Sequence, residues 1–502
     1  MKKSLLSLFF LITLLPAQST LHLTLAGFPA RLNPLLATDS VSSSLTDWLF
    51  EGLVKYDKNA EIAPELAESW HFENPKTLVF KLRRDRTWHD GVSVTAHDVV
   101  FTYETAVSDR VFTPYASSFR MVEKVEAIDD FTVRVSYKEP YFKALEIWMM
   151  AIIPKHRLEN EADLMTSEFN RKPIGSSYFR LEELHLSRNV ELLAYTNYKP
   201  RPPFIDKVVF QYVQDPSVEF LKLKSRQIHI GSLDAMQVDR QLDADFEKDY
   251  RIVEYPAFQY NYLGFNLRLE KFQDPKVREA LSLAVDRQEL VDILFFGRAR
   301  VSHGPILEGA LGFNPDVRSP EQNVTKARQL LKEAGYDESN PLSFELATNS
   351  NNPIRVYAAQ ILQHQLAQAG VRVKLRVMEW QAFLSRVVHA RNFETVLLAW
   401  SVPLMPDPFT LWHSSMDKKG GFNFVGYSNP EVDRLIETAQ SVTDRNELNR
   451  LFGEYHRLVM ADRPYLFLYS PNAISAISRK LEPIEPTLVG YGHNRFEWRI
   501  QP

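Results

Sequence analysis

Cysteine is absent from all 502 residues. Its absence removes disulfides, thiolate metal sites, cysteine nucleophiles and the acylated cysteine that anchors a lipoprotein. Long hydrophobic runs are scarce too. Beyond the amino terminus no segment reaches the roughly 20 apolar residues that span a bilayer. Positive charge is in slight deficit: the formal net charge is −4, and a leader carrying Lys2 and Lys3 takes two more positive charges with it when removed. No basic surface for nucleic acid or anionic lipid is expected.

Catalytic grammar is equally thin. There is no G-x-S-x-G elbow, no H-E-x-x-H pair, no phosphate loop and no dinucleotide fingerprint. Ser176 and Ser177 after Gly175 come nearest to a nucleophile, without the flanking glycine pattern. No two histidines are spaced i, i+4, so no helical face offers a zinc pair. The acidic cluster Asp239, Asp243, Asp245, Glu247 and Asp249 lacks the glycine and closing glutamate of a calcium loop and reads as a solvated face. No catalytic residue, metal ligand or cofactor is expected, and the chain is not read as an enzyme.

What is present is a globular composition, with 45% hydrophobic and 24% charged residues, enough chain for two or three substructures of ordinary size. Lys2 and Lys3, the apolar stretch Leu5 to Leu15, and the small residues Ala17 and Ser19 have the layout of a secretory signal, with cleavage expected near Ser19. An exported chain without lipid anchor or disulfide suits the periplasm.

Strands and helices interleave, which predicts α/β layers. Leu78, Phe80 and Leu82 alternate with other residues, as do Phe131, Val133 and Val135, and Val371, Val373, Leu375 and Val377. Asp274 before Pro275 starts a helix whose Val277, Ala280, Leu281, Ala284 and Val285 share a face. Asn429 before Pro430 does the same for Val432, Leu435, Ile436 and Ala439. Pro200 to Pro203 and Asp337 to Pro341 read as short turns.

Several blocks, in order along the chain, carry a resemblance. They are Asn33-Pro34-Leu35; Leu49-Phe50-Glu51-Gly52-Leu53 with Tyr56; Pro64-Glu65-Leu66-Ala67-Glu68-Ser69-Trp70; and Trp88-His89-Asp90-Gly91 with Thr95-Ala96-His97-Asp98-Val99. Further on come Pro173-Ile174-Gly175, Tyr262-Leu263-Gly264-Phe265-Asn266, Val277-Arg278-Glu279-Ala280-Leu281 with Ala284-Val285-Asp286-Arg287, Ala327-Arg328-Gln329-Leu330-Leu331 with Ala334-Gly335-Tyr336, and Tyr427-Ser428-Asn429-Pro430-Glu431-Val432-Asp433. The chain resembles the family 5 extracellular solute-binding proteins, the receptors of peptide and nickel ABC importers.

The resemblance implies a two-lobed α/β periplasmic binding protein of type II, cluster C-like, with an enlarged first lobe and a ligand cleft between the lobes. It implies a signal peptide over 1–19, a discontinuous first lobe over 20–259 and 474–502, and a second lobe over 260–473. Crossings are expected near Tyr260 to Gly264 and Tyr469 to Ala473. It also implies capture of a peptide or peptide-like solute by lobe closure, delivery to permease subunits in the inner membrane, and a monomer.

In peptide-binding members an Asp three positions after a second-lobe Trp holds the ammonium. Here that Trp is Trp400 and the position is Pro403, so Asp407 is the substitute, although Asp407-Pro408 also suits a turn. Trp400 either walls the pocket or fills the core. The expected ligand set is Tyr260, Asn261, Trp400, Pro403, Leu404, Asp407, Trp412 and His413. A nickel or other metal chelate is the alternative solute, with His413 as ligand, but Glu146 to Ile153, where that branch places an Arg, holds none. A secreted hydrolase and a chaperone-like protein are the remaining classes.

Overall fold

A computed structural model of the chain describes residues 18–185, 188–418 and 421–501. The charged and apolar parts of the expected leader lie outside the described residues. Ser19, at the expected cut, donates its N–H to Asp206 at 2.8 Å and its hydroxyl to the Phe204 carbonyl at 3.0 Å. They lie just ahead of Thr20–Leu25, which runs parallel to Lys207–Tyr212.

One apolar core gathers most of the chain up to Phe210. It is covered by a four-stranded sheet, in which Thr20–Leu25 is followed by Lys207–Tyr212, Asn189–Ala194 and Phe179–His185, and by a second four-stranded sheet containing Thr77–Leu82 and Thr132–Tyr137. The two strands expected around Phe80 and Val133 are these central ones, and Phe80, Val133 and Val135 are fully buried. Helix Ala96–Val107 packs here, started by a reciprocal Thr95–Asp98 capping box. Trp498 and Leu481 join the same core, so the carboxyl-terminal residues return to it.

Gly175 and the serines after it are structural. A Cβ on Gly175 would lie 1.8 Å from the Leu49 carbonyl, the same carbonyl that accepts the N–H groups of Ser176 and Ser177. Ser176 Oγ accepts the Glu51 N–H, and His89 accepts the Gly175 N–H while bonding the Ser177 carbonyl.

The rest is built on an eight-stranded sheet whose central strands are buried on both faces. Side chains alternate across a strand, and here each strand feeds two cores. Leu263, Leu397, Leu466 and Leu468 enter one core, while Tyr262, Val396, Leu398, Tyr465 and Phe467 enter the other. Helix Pro275–Leu283 begins as expected, with Asp274 accepting the Lys276 N–H. Ala284 and Val285 lie past its last residue and stay buried. Helix Pro430–Gln440 is capped by Asn429 and buries the expected stripe. The strand Arg372–Met378 sits at the sheet edge, so its alternation grades from Val371, 1% exposed, to Val377, 43% exposed.

Strand Tyr465–Ser478 joins the two bodies. Its first part pairs with Gln259–Phe265 and its second with Tyr250–Pro256. The partner chain breaks at Ala257–Phe258, just before the crossing expected at Tyr260.

Helix Arg445–Asp462 carries a completely buried histidine. His456 Nδ1 accepts the Asn314 N–H and Nε2 donates to the His303 carbonyl, a pattern only the neutral ring satisfies. Burial lowers its pKa to about 4, and does the same to His89 and His229. Unfolded histidine titrates near 6.5. Between these values the unfolded chain binds more protons, so stability that is intact above pH ~6.5 is lost as pH falls toward ~4. Calorimetric melting across that window should show a falling midpoint with a shallower slope in His456→Gln; an unchanged slope would assign the effect elsewhere.

Candidate ligand-binding site

Strand Thr395–Ser401 ends in the loop Val402 to Pro408, which turns back over the sheet toward the first body. Prolines at 403, 406 and 408 fix much of its backbone. Together with Tyr260 and Tyr455 they enclose a cavity of about 270 Å³. Of the expected ligand set, Tyr260, Trp400, Pro403, Asp407 and Trp412 line it. Pro305, Phe422 and Tyr455, distant from the loop in sequence, also line it and were not expected.

The other three lie elsewhere. Asn261 is buried in the sheet, opposite Ala399 and Tyr469. Leu404 meets the neighbouring loop, its carbonyl accepting the Leu311 N–H at 3.1 Å. His413 is buried and bonded on one nitrogen to Ser415 and on the other to Glu437, at 2.7 and 3.1 Å.

The cavity is lined by the second body alone, and its rim residue Asp407 reaches the first. Asp407 Oδ2 accepts a hydrogen bond from Arg120 Nη2 at 2.8 Å across this seam, and Asp407 Oδ1 accepts the Phe409 N–H at 3.2 Å. Burial works against the Arg120 charge, but Asp407 and Tyr141 together more than compensate, and the pKa of Arg120 rises. Beside it, Lys143 Nζ donates to the Met405 carbonyl at 3.4 Å and pairs with Glu146 at 3.3 Å. Phe142 meets Phe452 edge-on at 5.7 Å, and its N–H reaches the Gln440 carbonyl. The segment Glu146 to Ile153 indeed holds no arginine facing the loop; Arg120 comes from a turn earlier in the chain.

Two further hollows flank the seam. One of about 420 Å³ belongs to the first body and includes Lys55, Glu65, Tyr178, His493 and Arg495. The largest, about 1060 Å³, lies against the crossing at Pro256, Phe258 and Ser470 and contains none of the expected residues. Size alone therefore does not select the site. The small cavity has the concentrated aromatic walls and single charged group that fix a ligand's orientation. Tyr260 is its most unusual member, since it is wholly buried, its hydroxyl has no hydrogen-bond partner, and burial drives its pKa well above the ordinary value.

Residues 61–423 match the family model described as bacterial extracellular solute-binding proteins, family 5 Middle. The oligopeptide-binding protein AppA of Bacillus subtilis is 32% identical over 91% of this chain and 87% of its own. The structure of that protein in complex with a nonapeptide superposes with a TM-score of 0.83 at 31% identity, covering 97% of this chain and all of the other. NikZ from Campylobacter jejuni in complex with Ni(L-His) gives 0.82 at 26% identity, covering 96% and 99%. The architecture is thus that of the two-lobed α/β periplasmic binding proteins. Among the described residues no helix is long and apolar enough to cross a membrane.

The two cavity tryptophans differ in kind. Trp412 is 2% exposed and ringed by Tyr427, Tyr455, Tyr465 and Phe467, whereas Trp400 is half-buried and stacks on Phe424 at 5.9 Å. Trp412→Ala should cost about 3–5 kcal/mol of stability, and Trp400→Ala clearly less. Chemical denaturation of the two variants compares them; equal losses would make Trp400 a core residue.

Proposed function

We propose that the chain, which belongs to the bacterial extracellular solute-binding proteins of family 5, is the solute-capturing subunit of an ABC importer that takes up peptides or peptide-like solutes. The lobes close on the solute, and the closed form docks on the membrane permease. Selective stabilisation of the closed form by ligand is what makes docking informative.

The observation that carries this reading is an aromatic-walled cavity in the second body whose rim residue Asp407 meets Arg120 of the first, the two bodies being joined by two adjacent strands. A pair of crossing strands lets two rigid bodies rock while the cores on either side stay packed. Peptide recognition suits such a seam, because variable side chains need apolar walls while main-chain groups need a few fixed polar partners. The relative crystallised with a nonapeptide supports the solute class.

In this reading the first lobe comprises 20–259 and 474–502 and the second 260–473. Residues 1–19 are a cleaved leader, and the mature chain is a periplasmic monomer without lipid anchor. It binds without catalysis. The ligand-facing residues are Tyr260, Trp400, Pro403, Asp407 and Trp412, with Asn261, Leu404 and His413 behind them as support.

A metal chelate is the second reading, favoured by the likeness to a protein holding Ni(L-His). It needs ligands other than His413, whose two nitrogens are already engaged.

Native mass spectrometry of the protein recovered from cells, with release and sequencing of what accompanies it, tests both. The expected result is a distribution of short peptide masses together with compaction on saturation in small-angle scattering. One discrete mass bearing a metal isotope pattern selects the chelate. Unchanged scattering at saturation removes the closing receptor.

A further inference from the structure

The cavity beside the loop Val402 to Pro408 presents a mainly apolar surface, and two of its polar features select a kind of ligand end. The walls are Trp400, Trp412, Tyr455 and Phe422 with Pro403 and Pro406. Such rings and prolines favour an uncharged group, and the volume of about 270 Å³ fits a head group rather than a whole oligopeptide. The first polar feature is the Tyr260 hydroxyl, fully buried with no partner. A buried donor without an acceptor is costly, so the group that fills the cavity is expected to bring an acceptor oxygen.

The second is the rim. Asp407 is the only charged side chain among the described lining residues. Both its oxygens are occupied, one by Arg120 Nη2 at 2.8 Å and the other by the Phe409 N–H at 3.2 Å. The guanidinium is held in place over the Phe409 ring at 5.3 Å and the Tyr141 ring at 5.8 Å. Lys143 next to it is matched by Glu146. An ammonium approaching Asp407 meets a carboxylate already charge-matched and a fixed cation within a few ångströms, so repulsion opposes the attraction. A neutral acyl group meets neither obstacle.

We propose that this cavity receives an acyl-capped, uncharged end of the peptide-like solute, with Tyr260 donating to its carbonyl oxygen, while the Arg120–Asp407 pair at the rim turns away a free ammonium. This rests on the reading of the chain as a peptide receptor.

The test offers the full-length mature chain a mixed-sequence oligopeptide library in two forms, one N-acetylated and one with free α-amino ends, and reads the retained ratio by native mass spectrometry. The wild type should prefer acetylated peptides by about tenfold. Tyr260→Phe should lower their retention by a similar factor. Arg120→Met uncovers Asp407 and should raise retention of free-amine peptides until the preference is lost or inverted. Arg120→Lys keeps the cation and should keep the preference, which separates a charge effect from misfolding. Equal or greater retention of free-amine peptides by the wild type overturns the proposal, as does a ratio unchanged in Arg120→Met. If neither library is retained while another solute is, the peptide reading falls and takes this inference with it; if both are retained equally, only this inference falls.

Discussion

Strand Tyr465–Ser478 must run from one packed body into the other without leaving buried backbone groups unpaired. It meets this constraint by exchanging partners along its length, from Gln259–Phe265 to Tyr250–Pro256. Buried N–H and C=O groups that lose a partner are expensive, so two strands in register are a steadier crossing than two separate loops. The strand is also tied from the side. Arg287, fully enclosed, donates to the Phe467 carbonyl at 2.8 Å and to the Ser282 and Pro320 carbonyls. Burial pulls its pKa down to about 10, which still leaves it charged at neutral pH. Those carbonyl acceptors hold the following helix Arg287–Phe295 to the crossing, so the second body moves as a unit with it.

The same economy appears in the first body. Glu51 is buried beside Arg86 at 3.7 Å and accepts the Tyr198 hydroxyl at 2.6 Å. Its backbone N–H goes to Ser176, whose own N–H returns to Leu49. Residues that look like chemistry in the sequence, a serine pair after glycine and a histidine near an aspartate, thus serve to pack the interior of the first body. This buried carboxyl has the Tyr198 hydroxyl on one oxygen and Arg86 near the other, and burial still raises its pKa.

Much of this was legible because local rules decide it. Asp274-Pro275 and Asn429-Pro430 start helices here, since the side chain caps and the proline needs no N–H. The alternation around Phe80 and Val133 marks central strands of a small sheet. The large sheet was harder. Its strands bury both faces, so Tyr262 to Phe265 offers no polar alternation and no face to assign, and the break at Ala257–Phe258 leaves no local signature. In the cavity, Trp400, Pro403 and Asp407 were found because they are close in sequence and carried a family pattern. Arg120 was not, because it lies 287 residues from its partner, and only the meeting of the lobes brings them together. Tyr455 was hidden for a different reason, since it sits on a helix whose other inward residues are ordinary core.

The contacts that hold the lobes together are few compared with what closure requires. The Arg120–Asp407 pair keeps side-chain exposures of 26% and 17%, and a partly exposed ion pair contributes at most about 1 kcal/mol. The Lys143 bond to Met405 is long, at 3.4 Å, and Phe142 adds one backbone bond to the Gln440 carbonyl, worth about 1 kcal/mol, and one edge-on ring contact, worth about 0.5–1.5 kcal/mol beyond its area. Moving a two-state equilibrium from mostly open to mostly closed takes about 5.5 kcal/mol of differential binding. The seam alone therefore biases closure without completing it. The remainder must come from the group that fills the cavity, and the unpaired Tyr260 hydroxyl makes an empty closed state costlier still.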